Sequence, residues 1–133
     1  MKTLVLDSHA VLVYFEKEAG WETVAELLRQ AVEGTSRLIL SVINWGEVYY
    51  ITLREYGEEH AERVLRALDN MPVEIRVVDR ELTIQAARFK ARGGISYADS
   101  FGCGLARVIK GAEIVTGDPE FRSIEKEDRK SVV

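Results

Sequence analysis

The sequence predicts an α/β fold with a central parallel sheet flanked by helices, three layers in all. Three observations predict it. Short Val/Ile/Leu-rich runs alternate along the chain with longer segments of helical period. Those short runs are rich in Val, Ile and Leu, the pattern of a parallel sheet covered on both faces. The 133 residues also contain no internal repeat, low-complexity stretch or Pro/Gly-rich linker. One domain spanning residues 1–133 is therefore expected.

Thr3–Leu6 is a short β-branched and leucine run, read as the first buried strand, and Ala10–Lys17 as a short helix. From Trp21 to Val32, apolar residues at positions 21, 24, 25, 27, 28, 31 and 32 keep a helical period. Arg37–Ser41 is the second strand. Trp45–Tyr56 is helical and ends at Gly57, and Glu58–Leu68 is helical in turn. Glu74–Val78, just after Pro72, is the third strand. Arg80–Arg92 is a helix closed by Gly93-Gly94, and Ser96–Ile109 is a helix closed by Gly111. Glu113–Thr116 is the fourth strand. Pro119–Ile124 reads as one helical turn, and Ser131-Val132-Val133 as an added edge strand.

Composition excludes several classes. No run approaches the roughly 18 apolar residues of a membrane span. The opening Met1–Leu6 run is ended by Asp7, unlike a secretory leader, so a cytoplasmic protein without membrane contact is expected. The single cysteine, Cys103, excludes an internal disulfide and a cysteine-rich zinc site, and is read as a small buried hydrophobe. Lys and Arg number 18 against 22 Asp and Glu. If four acids hold metal, 22 − 4 = 18 acids balance the 18 bases, so net charge does not argue against a nucleic-acid substrate.

In open α/β sheets, ligands bind beyond the carboxyl ends of the strands. Asp7 ends the first strand, Glu47 follows the second by six residues, and Asp118 follows the fourth by two. Asp99 falls in the first turn of the helix opened by Ser96. Each acid has a local explanation as well. Ser96–Asp99 and Asn44–Glu47 both fit capping boxes, Asp118-Pro119 fits an N-cap followed by proline, and Asp7 can cap the helix after strand one. Capping does not explain why the helix starts nearest the strand ends are the acidic ones; the helix from Trp21 follows Ala19-Gly20. Metal chemistry does. Mg²⁺ and Mn²⁺ prefer oxygen ligands, and a bound cation relieves the repulsion among crowded carboxylates. Such a site suits phosphodiester hydrolysis.

Four stretches, in order, resemble the PIN-domain ribonucleases, especially VapC-type toxins. They are Leu4-Val5-Leu6-Asp7-Ser8, then Ser41-Val42-Ile43-Asn44-Trp45-Gly46-Glu47-Val48, then Ser96-Tyr97-Ala98-Asp99-Ser100 with Leu105-Ala106, and Val115-Thr116-Gly117-Asp118-Pro119-Glu120-Phe121. Any one is weak, but the ordered set spans nearly the whole chain. The resemblance implies a PIN-like three-layer fold and Mg²⁺- or Mn²⁺-dependent endoribonuclease activity. It further implies the toxin role in a type II toxin–antitoxin pair, an antitoxin partner and a homodimer; the aromatic content of the helices close to the site, in the light of that pattern, puts antitoxin docking near Phe15, Trp45 and Tyr49. It carries over Asp7, Glu47, Asp99 and Asp118 as the catalytic, metal-holding acids, with Ser8 and Thr116 as supporting hydroxyls. Two departures stand out: His9 replaces a commoner small polar residue, and Gly102-Cys103-Gly104 interrupts a helix usually rich in alanine. Those glycines either admit close backbone packing or mark a looser helix.

Competing readings place other residues at work. His9 and His60, the only histidines, are the sole pair for metal-free acid–base cleavage; His60 sits among Gly57-Glu58-Glu59 and Ala61-Glu62 on a solvated-looking face. Trp45, Tyr49, Tyr50 and Tyr56 offer faces for base stacking but have core or dimer spacing. Arg88, Lys90 and Arg92 offer phosphate contacts or a solvated helix end. The alternative function is a catalytically silent PIN-like module that binds protein or RNA. A receiver-type phosphotransfer protein is disfavoured, because no second acid neighbours Asp7 and no lysine follows the fourth strand closely.

Overall fold

The computed structural model describes residues 1–116. Its elements run β1 (Lys2–Leu6), α1 (Ser8–Glu16), α2 (Trp21–Glu33), β2 (Ser36–Ser41), α3 (Val42–Tyr56), α4 (Glu58–Asp69), β3 (Val73–Arg76), α5 (Arg80–Arg92), α6 (Tyr97–Val108) and β4 (Glu113–Val115). The strands form one sheet in the order β3-β2-β1-β4, every pair parallel.

Alternation along the strands builds the three predicted layers. Val5, Ile39 and Ile114 face α5 and α6 and join Leu82, Ala86, Phe89, Phe101 and Leu105. Their neighbours Leu4, Leu6, Leu38, Leu40 and Val115 point the other way, onto Val11, Val24, Leu28, Val48, Val64 and Leu68 of α1 to α4. Both faces of each inner strand are thus covered, which is why the centres of these strands, Leu4–Leu6 and Leu38–Leu40, are apolar at consecutive positions.

Two predicted strand ends move inward for one reason. β3 stops at Arg76, not Val78, because Arg76 is registered with Ser41, after which β2 turns directly into α3. Val77, left without a partner strand residue, is 72% exposed. Asp79 then caps α5 by accepting the Leu82 N–H at 2.8 Å. Likewise β4 stops at Val115, registered with Leu6, the last residue of β1. α6 ends at Val108; Gly111, at φ +78°, belongs to the turn into β4 and is not the helix cap. The predicted turn at Pro119–Ile124 and strand at Ser131–Val133 lie outside the described residues.

The glycines of α6 serve close packing. A Cβ on Gly104 would lie 2.8 Å from the Ala86 nitrogen and 3.1 Å from its Cα, so α5 and α6 meet backbone to backbone there. Cys103 between them is buried, as predicted. No described helix is long and apolar enough to cross a membrane.

Candidate active site

Sheet register brings three polar residues to one line at the carboxyl edge. Leu6 pairs with both Leu40 and Val115, so the next residues, Asp7, Ser41 and Thr116, stand side by side, all three fully buried. β1 lies between β2 and β4, so the direction of strand addition reverses beside it, the usual place for a ligand crevice in such sheets. The Asp7 N–H donates to the Val115 carbonyl at 3.4 Å, and its Oδ1 accepts the Ala10 N–H at 2.8 Å. Asp7 therefore does cap α1, and its cap geometry aims the carboxylate across the edge.

Glu47 is half-buried in the second turn of α3, and the Ser8 hydroxyl donates to its Oε1. The predicted Asn44–Glu47 capping box does not exist. Ser41 is the cap instead, accepting the Asn44 N–H at 3.1 Å, and α3 starts three residues earlier than its periodicity indicates. The two sequence signals compete locally, since Ser and Asn both cap well. The end of β2 decides between them. Glu47 consequently has no capping role.

Asp99 is 9% exposed. Its N–H donates to Ser96 Oγ at 3.1 Å, so the predicted cap at Ser96 is present. The first turn of α6 is tied to α3 by Asn44, whose Nδ2 donates to the Ala98 carbonyl at 3.1 Å. It is also pressed onto the sheet edge: a Cβ on Gly102 would lie 3.1 Å from Ile114 Cδ1, 3.7 Å from Asp7 Cβ and 3.8 Å from Asn44 Oδ1. Sequence reasoning took Asn44 for a helix cap and left Gly102 open between close packing and a looser helix; it gave neither a place at the site. The available signal for Asn44 was its position three residues after a strand-ending serine.

The N-termini of α1, α3 and α6 thus converge on the carboxyl edge of β1 and β2. Each carries about half a unit of positive charge, which offsets part of the cost of gathering carboxylates there. The donors Asp7, Glu47, Asp99, Ser8 and Thr116 are all oxygens, a set whose chemistry fits a hard divalent cation. Among the described residues, no three acids, histidines or cysteines stand close enough to hold an ion between them. Asp118 lies outside the described residues.

Other candidates find different places. His9 is exposed on α1 and, with Thr116, Val115 and Val24, lines a cavity of about 190 Å³. His60, on α4, is half-buried and packs on the Tyr56 ring with centroids 4.9 Å apart, so it is less solvated than its neighbours imply. Trp45 Nε1 donates to Asp69 at 3.2 Å and the Tyr49 hydroxyl donates to Glu62 at 3.2 Å, fastening α3 to α4. Tyr50 and Tyr56 remain exposed. Lys90 Nζ donates to the Ile95 carbonyl at 2.8 Å and Arg92 lies over the Phe89 ring, so both serve the α5–α6 corner.

The sequence profile of the PIN domain matches residues 4–127. The chain belongs to the PIN domain family. Solved structures share the fold. The DNA-bound VapBC of Salmonella typhimurium contains a chain 18% identical, with a TM-score of 0.72; the match covers 100% of this chain and 98% of that one. VapC20 of Mycobacterium tuberculosis, described as a sarcin–ricin-loop-cleaving toxin, is 18% identical with a TM-score of 0.69, covering 91% and 94%. A toxin–antitoxin complex from Klebsiella pneumoniae contributes a chain 16% identical with a TM-score of 0.64, covering 98% and 95%. No curated protein sequence matches this PIN domain chain.

Proposed function

We propose that this PIN domain protein, one domain over residues 1–133, is a cytoplasmic metal-dependent endoribonuclease and the toxin of a type II toxin–antitoxin pair. The observation that carries the reading is the row of buried polar residues Asp7, Ser41 and Thr116 at the carboxyl edge of the sheet, with Glu47 bonded to Ser8 and the turn that carries Asp99 tied to α3, in a chain of this family. The described toxin role of solved neighbours supports it.

In this reading Asp7, Glu47, Asp99 and Asp118 hold Mg²⁺ or Mn²⁺. The chemistry such an ion would supply there is activation of water and neutralisation of charge on the phosphate oxygens. The chain's own residues do the rest. Asp7 is held by its cap bond and Glu47 by Ser8, so neither carboxylate has to be ordered when substrate arrives. Thr116, buried beside Asp7, supports the edge from β4. A homodimer would use exposed apolar residues of α3, among them Ile43, Tyr50 and Leu53. An antitoxin docking beside Phe15, Trp45 and Tyr49 would inhibit by placing an Arg or Lys among the acids.

The test is RNA cleavage in Mg²⁺ by wild type and by Asp7→Asn. Asparagine caps a helix about as well as aspartate, so the melting temperature should hold. Loss of a charged ligand worth about 3 kcal/mol or more in the transition state should slow cleavage at least about 100-fold. Products should carry 5′-phosphates. Wild-type cleavage in excess EDTA, or 2′,3′-cyclic ends, would point back to a metal-free mechanism. If purified wild type cleaves no RNA in Mg²⁺ or Mn²⁺, the silent binding module is the better description.

A further inference from the structure

We propose that Asn44 is a positioning residue that sets the distance between Asp99 on α6 and Glu47 on α3, a role that rests on the metal-site reading above. Asn44 is fully buried at the third position of α3. Its backbone N–H already completes the cap on Ser41, and any residue would supply that bond. The side chain does something else. Its Oδ1 accepts the Ser41 hydroxyl at 2.7 Å, which commits its Nδ2 to the other side. There Nδ2 donates at 3.1 Å to the carbonyl of Ala98, 54 residues away and next to Asp99.

Ser41 and Gly102 make this link a spacer within the site rather than ordinary helix packing. Ser41, at one end, stands level with Asp7 on the sheet edge. Gly102, one turn beyond Ala98, brings α6 so close that its added Cβ would touch Asp7 Cβ and Asn44 Oδ1. Asn44 therefore sits between the elements that carry Asp7, Glu47 and Asp99. The bond from Ser41 fixes the amide at the end of β2, level with Asp7, and the bond to Ala98 ties α3, which carries Glu47, to α6, which carries Asp99. An apolar residue of similar size would fill the volume but leave the Ala98 carbonyl without this donor and the helix free to slide.

The experiment is Mn²⁺ titration at 25 °C, reading free Mn²⁺ by electron paramagnetic resonance, on wild type and four variants. Asn44→Ala, and Asn44→Ser, which keeps a hydroxyl near Ser41 but cannot reach Ala98, remove the link. Thr52→Ala, at another buried polar position on α3, controls for a general loss of stability. Asp7→Asn reports on the metal site itself. Loss of a group that orients ligands should weaken Mn²⁺ binding about 10- to 100-fold in the folded Asn44 variants, and leave Thr52→Ala within about twofold of wild type. Wild-type Mn²⁺ affinity in either folded Asn44 variant, or an equal loss in Thr52→Ala, overturns the positioning role while leaving the metal site standing. Wild type that takes up no Mn²⁺, or Asp7→Asn that binds as well as wild type, overturns the site reading and this inference with it.

Discussion

Replacing Gly104 by alanine should destabilise the protein, whereas replacing Gly102 should be nearly neutral, although both glycines lie inside the same helix. Alanine gains about 1 kcal/mol of helix propensity at either position. At Gly104 the new Cβ meets the Ala86 nitrogen at 2.8 Å, its Cα at 3.1 Å and the Gln85 carbonyl carbon at 3.3 Å. All three are backbone atoms of α5 and cannot turn aside. Restoring contact to about 3.4 Å needs the helices to part by roughly 0.6 Å, enough to forfeit a quarter or more of the dispersion attraction across that gap. The interface so opened contains Leu82, Phe89, Phe101 and Leu105. Overpacking of this kind costs about 1–3 kcal/mol, and here the upper half of that range applies, leaving a net loss of about 1–2 kcal/mol. At about 2.1 cal/mol/K per residue, a 133-residue chain has a melting entropy near 280 cal/mol/K, so the melting temperature should fall by about 4–7 °C. At Gly102 the tightest contact, 3.1 Å, is with Ile114 Cδ1, the far end of a side chain that can yield by a few tenths of an ångström. Its small strain and the propensity gain should nearly cancel, within about 1 kcal/mol. Thermal melts followed by circular dichroism in EDTA measure both. Gly104→Ala melting at or above wild type, or Gly102→Ala falling further than Gly104→Ala, would refute the argument.

Two further outcomes are expected. Burial alone would push the Glu74 carboxyl up, but hydrogen bonds and charge from Arg37 and Arg76 outweigh it and leave it below its ordinary value. A depressed carboxylate stabilises the fold above its unfolded pKa and loses that contribution as pH falls through the folded value. Glu74→Gln should therefore cost about 0.2–1 kcal/mol at pH 7, small because the cluster is solvent-screened, and nothing near pH 2; urea melts at both values check this, and an equal cost at both would contradict it. Ser8→Ala removes the hydroxyl that donates to Glu47 and should reduce Mg²⁺-dependent cleavage about tenfold or more at little cost to the fold; kinetics equal to wild type would remove Ser8 from the site.

The sequence by itself determined the order of strands and helices along the chain and the buried centres of the first two strands. A strand covered on both faces is apolar along its centre, so the runs Leu4–Leu6 and Leu38–Leu40 marked the first two strands, and Asp7 marked where the first one met the edge. The cap at Ser96 was legible too, because a capping box is a contact between near neighbours. Only tertiary structure decided what depends on partners distant in the chain. Ser41 and Asn44 are equally good caps in isolation, and the end of β2 chose Ser41, freeing the Asn44 amide to reach Ala98. β3 reads as a strand through Val78, yet it ends where its partner ends. Gly102 and Gly104 were compatible with either a loose helix or a close one. The backbone of Ala86 on one side and Ile114 and Asp7 on the other made it close. Local sequence specifies what a segment can bond to within a turn or two, whereas register and helix spacing are properties of the neighbour it meets.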